Sequence, residues 1–457
     1  MRKYIGDSHF YRKVLAVALP IMVQNGITNF VNMLDNVMVG RLGTEAMSGV
    51  SIVNQFLFIF NLMVFGAVAA ASIFTAQYHG SGDVEGVRYT FRFKLITCVL
   101  TGGVGILLFI FFGSAFIELF LRGGEGTGNA AMTLSYGQAY LKLMLIGLLP
   151  YAVTQVYSST LRETGEGVPP MVASIVAVAT NFVLNLILIF GLLGAPALGV
   201  RGAAIATVIS RFAELLVLVI WAHLHKARCP YLAGAYRSLY VPRALLWQIV
   251  IKGLPLMANE VCWSLAITLR NQCYSVRGLD VVAALNIATT LQNLLSVVYM
   301  ALGSAIAIIV GRELGAGEEE GARDTARKMM AFTVFASLLI SVLFASAAFL
   351  FPQIYNTTEA VRSLATYLML ASAAILPFGA YAYAAYYTLR AGGQVYVTVL
   401  FDSVFMWVLV IPLCAVLAYL TNVNIYLLFL LGQGTEIVKA MLGLVLLRRV
   451  NWARRLV

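Results

Sequence analysis

Long apolar runs separated by short polar breaks dominate the chain. An α-helix crosses about 30 Å of hydrocarbon with roughly 20 apolar residues, and twelve stretches meet that length. Their approximate limits are 14–40, 48–79, 90–119, 133–161, 168–193, 199–225, 249–275, 283–311, 327–351, 362–389, 394–420 and 424–447. All are read as helices, because a backbone in hydrocarbon must satisfy its polar groups internally. Pro20, Pro150, Pro255, Pro377 and Pro412 fall inside these stretches and read as kinks, which a bundle tolerates where neighbours serve the freed carbonyls. The predicted fold class is all-α: a polytopic membrane protein with twelve transmembrane helices.

Composition agrees with the pattern. Of 457 residues, 61% are hydrophobic and 11% charged, against about 45–50% and roughly 25% in soluble domains. A compact soluble domain must still cover its outside with polar groups, so that class is excluded. The net charge of +11 would suggest nucleic acid on a soluble protein, but here aromatic residues and Met sit inside the apolar runs, away from any basic patch. Nucleic acid is therefore not an expected partner; the lipid bilayer is. With the N-terminus inside, the inner breaks hold 22 Lys and Arg, among them Arg2, Lys3, Arg88, Arg92 and Lys94, against five outside: Arg41, Arg122, Arg201, Arg277 and Arg362. Short Lys/Arg-rich loops stay cytoplasmic, which predicts a multi-pass cell-membrane protein with both termini in the cytoplasm. Cys98, Cys229, Cys262, Cys273 and Cys414 form no C-x-x-C pair and read as small apolar residues. The N-terminal MRKYIGDSHFYRK is a basic lead without a cleavage pattern.

The chain repeats itself. An offset of 235 superposes Leu19-Pro20 on Leu254-Pro255, Asn36 on Asn271, Gly43 on Gly278, Gly80 on Gly315, Gly82 on Gly317 and Arg88 on Arg323. Farther on, YLKLMLIGLLP (140–150) matches YLMLASAAILP (367–377), and LRETG (161–165) matches LRAGG (389–393). Six spans are thus duplicated in parallel: an N-lobe at 1–225, a basic cytoplasmic linker at 226–248 and a C-lobe at 249–457. Paired bundles of this kind are a transporter architecture.

Depth selects the candidate chemistry. An ionisable side chain costs about 2.5–3.5 kcal/mol at mid-membrane on insertion scales, so each one left there needs a partner or a role. Asp35 lies near the outer end of span 1, and Asn181, Asn185 and Thr207 share the outer half of the N-lobe. One carboxylate, two amides and a hydroxyl are a hard-oxygen set suited to Na⁺ at Asp35, and the carboxyl alone could carry a proton. In the inner half of the C-lobe, Glu260, Asp402, Glu436 and Lys439 could form a titratable cluster or a permanent ion-pair network. The 235 offset carries Asp35 to Arg270, so one outer cation site is expected, not two. For a substrate cavity, Gln24, Asn54, Phe58, Gln155, Trp263, Asn293, Tyr299 and Tyr381, with Asn61, Asn286, Thr290 and Met300, offer amide and aromatic surfaces to a flat amphipathic cation.

Pro20 followed by N-x-x-D at Asn32 to Asp35, VGRLG (39–43), NFVLN (181–185), GVRGAAIAT (199–207) and LPLMANE (254–260) together resemble the multidrug and toxic compound extrusion (MATE) transporters over essentially the whole chain. The resemblance implies a monomeric, cation-coupled antiporter, driven by H⁺ or Na⁺ and without another cofactor, that exports small organic compounds by alternating access between its lobes. It also implies a cation site on the positions of Asp35, Asn181, Asn185 and Thr207, and an acid on span 7 at Glu260. Asn185 stands where some archaeal members carry a second aspartate, so a mechanism built on a proton-sharing carboxylate pair does not carry over. The alternative is a flippase for a lipid-linked precursor, for which fourteen spans and an Arg-rich cavity would be expected. An enzyme is not expected, since His9, His79, His223 and His225 all lie near the cytoplasmic helix ends and no catalytic constellation sits at membrane depth.

Overall fold

The computed structural model describes residues 4–122, 129–355 and 357–457, with the side chains of 31–34, 36, 37, 44, 119–122 and 279 left outside the description. Arg2 and Lys3, and the side chains of Asn32, Asn36 and Arg122, therefore lie outside the described residues.

Twelve long helices follow in order: α1 Ser8–Gly40, α2 Thr44–Gly80, α3 Val84–Arg122, α4 Ala130–Glu163, α5 Val168–Phe190, α6 Val200–Leu224, α7 Arg243–Ser275, α8 Leu279–Gly315, α9 Glu319–Ala347, α10 Glu359–Ala391, α11 Val395–Leu420 and α12 Ile425–Arg449. Each predicted span falls on one of them, and no strand is present among the described residues. Among the described residues, eleven helices, α2 to α12, are long and apolar enough to cross a membrane. Several start well before the apolar run, as α9 does at Glu319, because a helix continues past the hydrocarbon into polar sequence that hydropathy does not register. Asn129, Thr358 and Asn424 open α4, α10 and α12 by accepting bonds from the first free backbone amides. Pro169-Pro170 open α5, where the missing N–H is not needed, and Gly191 ends it with φ 72°.

In α11 the backbone widens into π-helical turns at Leu400–Val404, Met406–Val410 and Val416–Leu420. Pro412 explains the second: its ring displaces the carbonyl one turn earlier and supplies no N–H, so the ladder relaxes there. The first carries Asp402.

Backbone contacts divide the chain into two compact units. One comprises Val23–Thr75 and Asp83–Gly253; the other comprises the chain up to Met22, Ala76–Gly82 and Leu254–Val457. In the first unit, Arg92 is buried and donates to the carbonyls of Gly234 (2.8 Å), Ala235 (2.8 Å) and Tyr240 (3.1 Å), clamping the connection after α6 onto α3. Arg88 holds Tyr231 O at 3.2 Å beside it. Lys94 of α3 has 0% exposure, its Nζ 2.5 Å from Glu163 at the end of α4 and also bonded to Ser159 and Thr160. A paired charge can enter a helix bundle where a lone one cannot.

In the second unit, the duplicated glycines meet. An ideal Cβ on Gly80 would stand 1.9 Å from Arg312 O, and one on Gly315 would stand 1.9 Å from Gln77 O. Gln77 and Arg312 are related by the same 235 offset as the glycines, so the ends of α2 and α8 cross reciprocally, backbone on backbone. The Gln77 amide then ties in the C-terminal segment, donating to Ala391 O at 3.1 Å and accepting from Leu456 N at 2.7 Å. Gly315→Ala is expected to lower stability by about 1–3 kcal/mol through overpacking. Gly103→Ala, where a Cβ meets nothing within 4 Å, is the control. Equal melting temperatures for the two variants in detergent would refute the crossing as a constraint.

Candidate functional site

The i, i+4 spacing of Asn181 and Asn185 puts both amides on one face of α5, where the structure brings them together with Asp35 of α1 and Thr207 of α6. Asn185 Nδ2 donates to Asp35 Oδ1 at 2.6 Å. The Asn181 amide sits between Asp35 and Thr207, and its orientation is assigned from those neighbours. With its nitrogen toward the carboxylate, it donates to Asp35 Oδ1 at 2.9 Å and Oδ2 at 3.3 Å and accepts from Thr207 at 3.3 Å, which suits an ionised Asp35. Asn181 and Asn185 are 4% and 1% exposed, and Asn185 Oδ1 has no hydrogen-bond partner among the described atoms, leaving one more oxygen free to accept. Among the described residues, no Lys, Arg or His nitrogen lies within 4 Å of Asp35.

The C-terminal candidates resolve into two pairs. Lys439 Nζ bonds Asp402 Oδ1 at 2.6 Å. Glu260 pairs instead with Arg390, near the C-terminal end of α10, at 4.0 Å. Glu436 packs beside Gly379 and forms no ion pair within 4 Å among the described residues. Asn259 was not singled out from sequence, yet it organises the group. Its Nδ2 donates to Asp402 Oδ2 at 3.0 Å, while its own oxygen accepts from Ser403 Oγ at 2.6 Å. Asp402 and Ser403 lie next to each other in the π turn at Leu400–Val404, and both bond Asn259 of α7. Arg270, the counterpart of Asp35, is half-buried with its Nε unpartnered by any hydrogen bond.

Of the cavity candidates, Gln24 is engaged in the bundle: Arg162 Nη1 donates to its Oε1 at 3.1 Å, and its Nε2 donates to Ser174 Oγ at 2.9 Å. Ser174 donates in turn to Glu214 at 2.6 Å. Asn54 accepts from Tyr140 at 3.5 Å, and Tyr299 stacks edge-on to Tyr383 at 5.7 Å. Phe58, Trp263, Asn293 and Met300 are exposed, while Gln155 and Tyr381 are half-buried. Glu214 and Arg211 went unflagged in the sequence although they interrupt span 6, where the cost of a charge at depth applied to them as much as to Asp35. The five cysteines are free thiols, four of them buried.

A duplicated set of apolar helices with a carboxylate held by amides at depth defines a class: polytopic membrane transporters. The MatE family model matches residues 20–187 and 255–416, so the chain belongs to the MatE family and is a transporter, not an enzyme. It is 26% identical over 349 residues, 75% of this chain and 70% of the relative, to a probable multidrug resistance protein NorM of Thermotoga maritima. It is 24% identical over 424 residues, 91% of this chain and 88% of the relative, to the probable multidrug resistance protein YoeA of Bacillus subtilis. Among solved structures, an outward-facing multidrug resistance MATE family transporter of the MOP superfamily superposes with TM-score 0.84 at 18% identity, covering 98% of this chain and 96% of that one. The Vibrio cholerae MATE transporter VcmN, in a mutant form, superposes with TM-score 0.85 at 18% identity, covering 98% and 99%.

Asp402→Asn leaves the Lys439 charge buried without its counter-ion, which costs about 3–5 kcal/mol for pairs of this kind. Asp402→Asn with Lys439→Met removes both charges and is expected to recover most of that loss. Thermal melting of the purified variants checks it, and a double variant no more stable than the single would refute the pairing.

Proposed function

We propose that this transporter exports small organic compounds, cationic and amphipathic in character, by alternating access between two lobes, in exchange for H⁺ or Na⁺ bound at Asp35. One observation carries the reading: Asp35 is a membrane carboxylate held by neutral amides with no basic partner among the described residues. A permanent structural carboxylate would be paired, as Asp402 is with Lys439; an unpaired one pays its cost only if it gains and loses a cation in the cycle. Amides bond the ionised carboxylate without neutralising it, so the charge stays available to a cation. The relatives named multidrug resistance proteins support the substrate class, as do the exposed Phe58 and Trp263 rings, whose faces favour cations. The protein acts as a monomer in the cell membrane with both termini cytoplasmic, and needs no cofactor beyond the coupling ion.

Reconstituted into vesicles under separately imposed pH and sodium gradients, the wild type is expected to export a fluorescent organic cation with one gradient and not the other. Asp35→Asn is expected to reduce gradient-driven export at least tenfold while leaving folding intact. Export by Asp35→Asn at the wild-type rate would overturn the assignment.

A further inference from the structure

Beyond the glycines, the duplication extends to a polar group on three helices. The 235 offset carries Gln24 to Asn259, and the match of LRETG to LRAGG, which carries Arg162 to Arg390, also carries Ser174 to Asp402. Helices α6 and α12 are 25 residues each, and Glu214 and Lys439 are each the fifteenth residue. The contacts correspond as well: Gln24 donates to Ser174 and Ser174 to Glu214, just as Asn259 donates to Asp402 and Lys439 to Asp402. One C-terminal triad, Asn–Asp–Lys, is internally neutral. Its N-terminal counterpart, Gln–Ser–Glu, ends in a carboxylate.

We propose that Glu214 is a second proton-binding carboxylate of the transport cycle, an inner station on α1, α5 and α6, the same helices that hold Asp35. Ser174 lies seven residues from Asn181, and Glu214 seven from Thr207, so this layer sits about 10 Å deeper than the Asp35 layer and about 15 Å from the end of α6 at Leu224. The groups facing Glu214 are Ser174 on α5, Tyr151 and Arg162 on α4, and Arg211 on its own helix. Neither guanidinium forms an ion pair with it within 4 Å. Arg211 donates to Gly147 O at 3.2 Å and lies over the Tyr151 ring at 5.1 Å, and Arg162 donates to Gln24. Glu214 is thus not locked in a salt bridge. With Gln24 Oε1 already committed to Arg162, it lacks the several oxygen ligands that a metal cation takes, whereas a proton needs one carboxylate oxygen. The chain of donors from Arg162 through Gln24 and Ser174 points at Glu214, so protonation there removes the charge on which that chain converges.

The proposal rests on the ion-coupled reading of the N-terminal bundle, and its test separates the two. Infrared difference spectra of the full-length protein in vesicles, between acidic and alkaline buffer, report each carboxyl that gains a proton by its C=O stretch. Wild type is expected to show one band that Asp35→Asn removes and a second that Glu214→Gln removes. Ser174→Asp with Glu214→Lys, which installs the ion pair of the other bundle and so preserves folding, is expected to lose the second band too. A Glu214→Gln or Ser174→Asp/Glu214→Lys spectrum identical to wild type would overturn the proposal even where Asp35→Asn removes its band. Loss of the Glu214 band alone would uphold it and overturn the proton reading of Asp35.

Discussion

Hydrocarbon does not solvate charge, and this constraint governs the structure more than any single contact does. A group left ionised at depth must be paired, satisfied by several dipoles, or given a cation to hold. The first two solutions are both present here. Lys94 with Glu163, and Lys439 with Asp402, are direct pairs at 2.5 and 2.6 Å. Asp35 is served by two asparagine amides. Glu214 is served by a hydroxyl polarised through two further residues.

The same constraint explains what could be read from the sequence. Helices in a bilayer satisfy their own backbones, so hydropathy and the duplicated Pro and Gly positions reveal spans without any knowledge of packing. Gly80 and Gly315 were visible as a repeat, and their role follows once the carbonyls of Arg312 and Gln77 are seen where a Cβ would stand. The Asp35, Asn181, Asn185 and Thr207 set is legible because Asn181 and Asn185 lie at i, i+4 and the basic breaks predict the directions that put Asp35 and Thr207 at a matching depth.

What escaped the sequence were pairings that depend on rotation about a helix axis. Glu260, Asp402, Glu436 and Lys439 share a depth, but depth does not say which faces meet. Asp402 reaches Lys439 and Glu260 reaches Arg390. The π turn at Leu400–Val404 widens the α11 ladder around Asp402, which hydropathy does not register. The partner of Lys94 escapes the sequence for a related reason: Glu163 is more than sixty residues away along the chain.

The sequence repeat relates polar positions of the two halves, yet the side chains there have diverged in charge. Asp35 corresponds to Arg270, and Glu214 corresponds to Lys439, facing Asp402 where the other half has Ser174. An ion pair such as Asp402–Lys439 resists both protonation and separation, because losing either charge strands the other. A carboxylate bonded by a hydroxyl or by amides, as Glu214 and Asp35 are, strands no buried ion-pair partner on gaining a proton. Where one bundle holds the locked Asp402–Lys439 pair, divergence has therefore left the other with a carboxylate that a serine hydroxyl bonds.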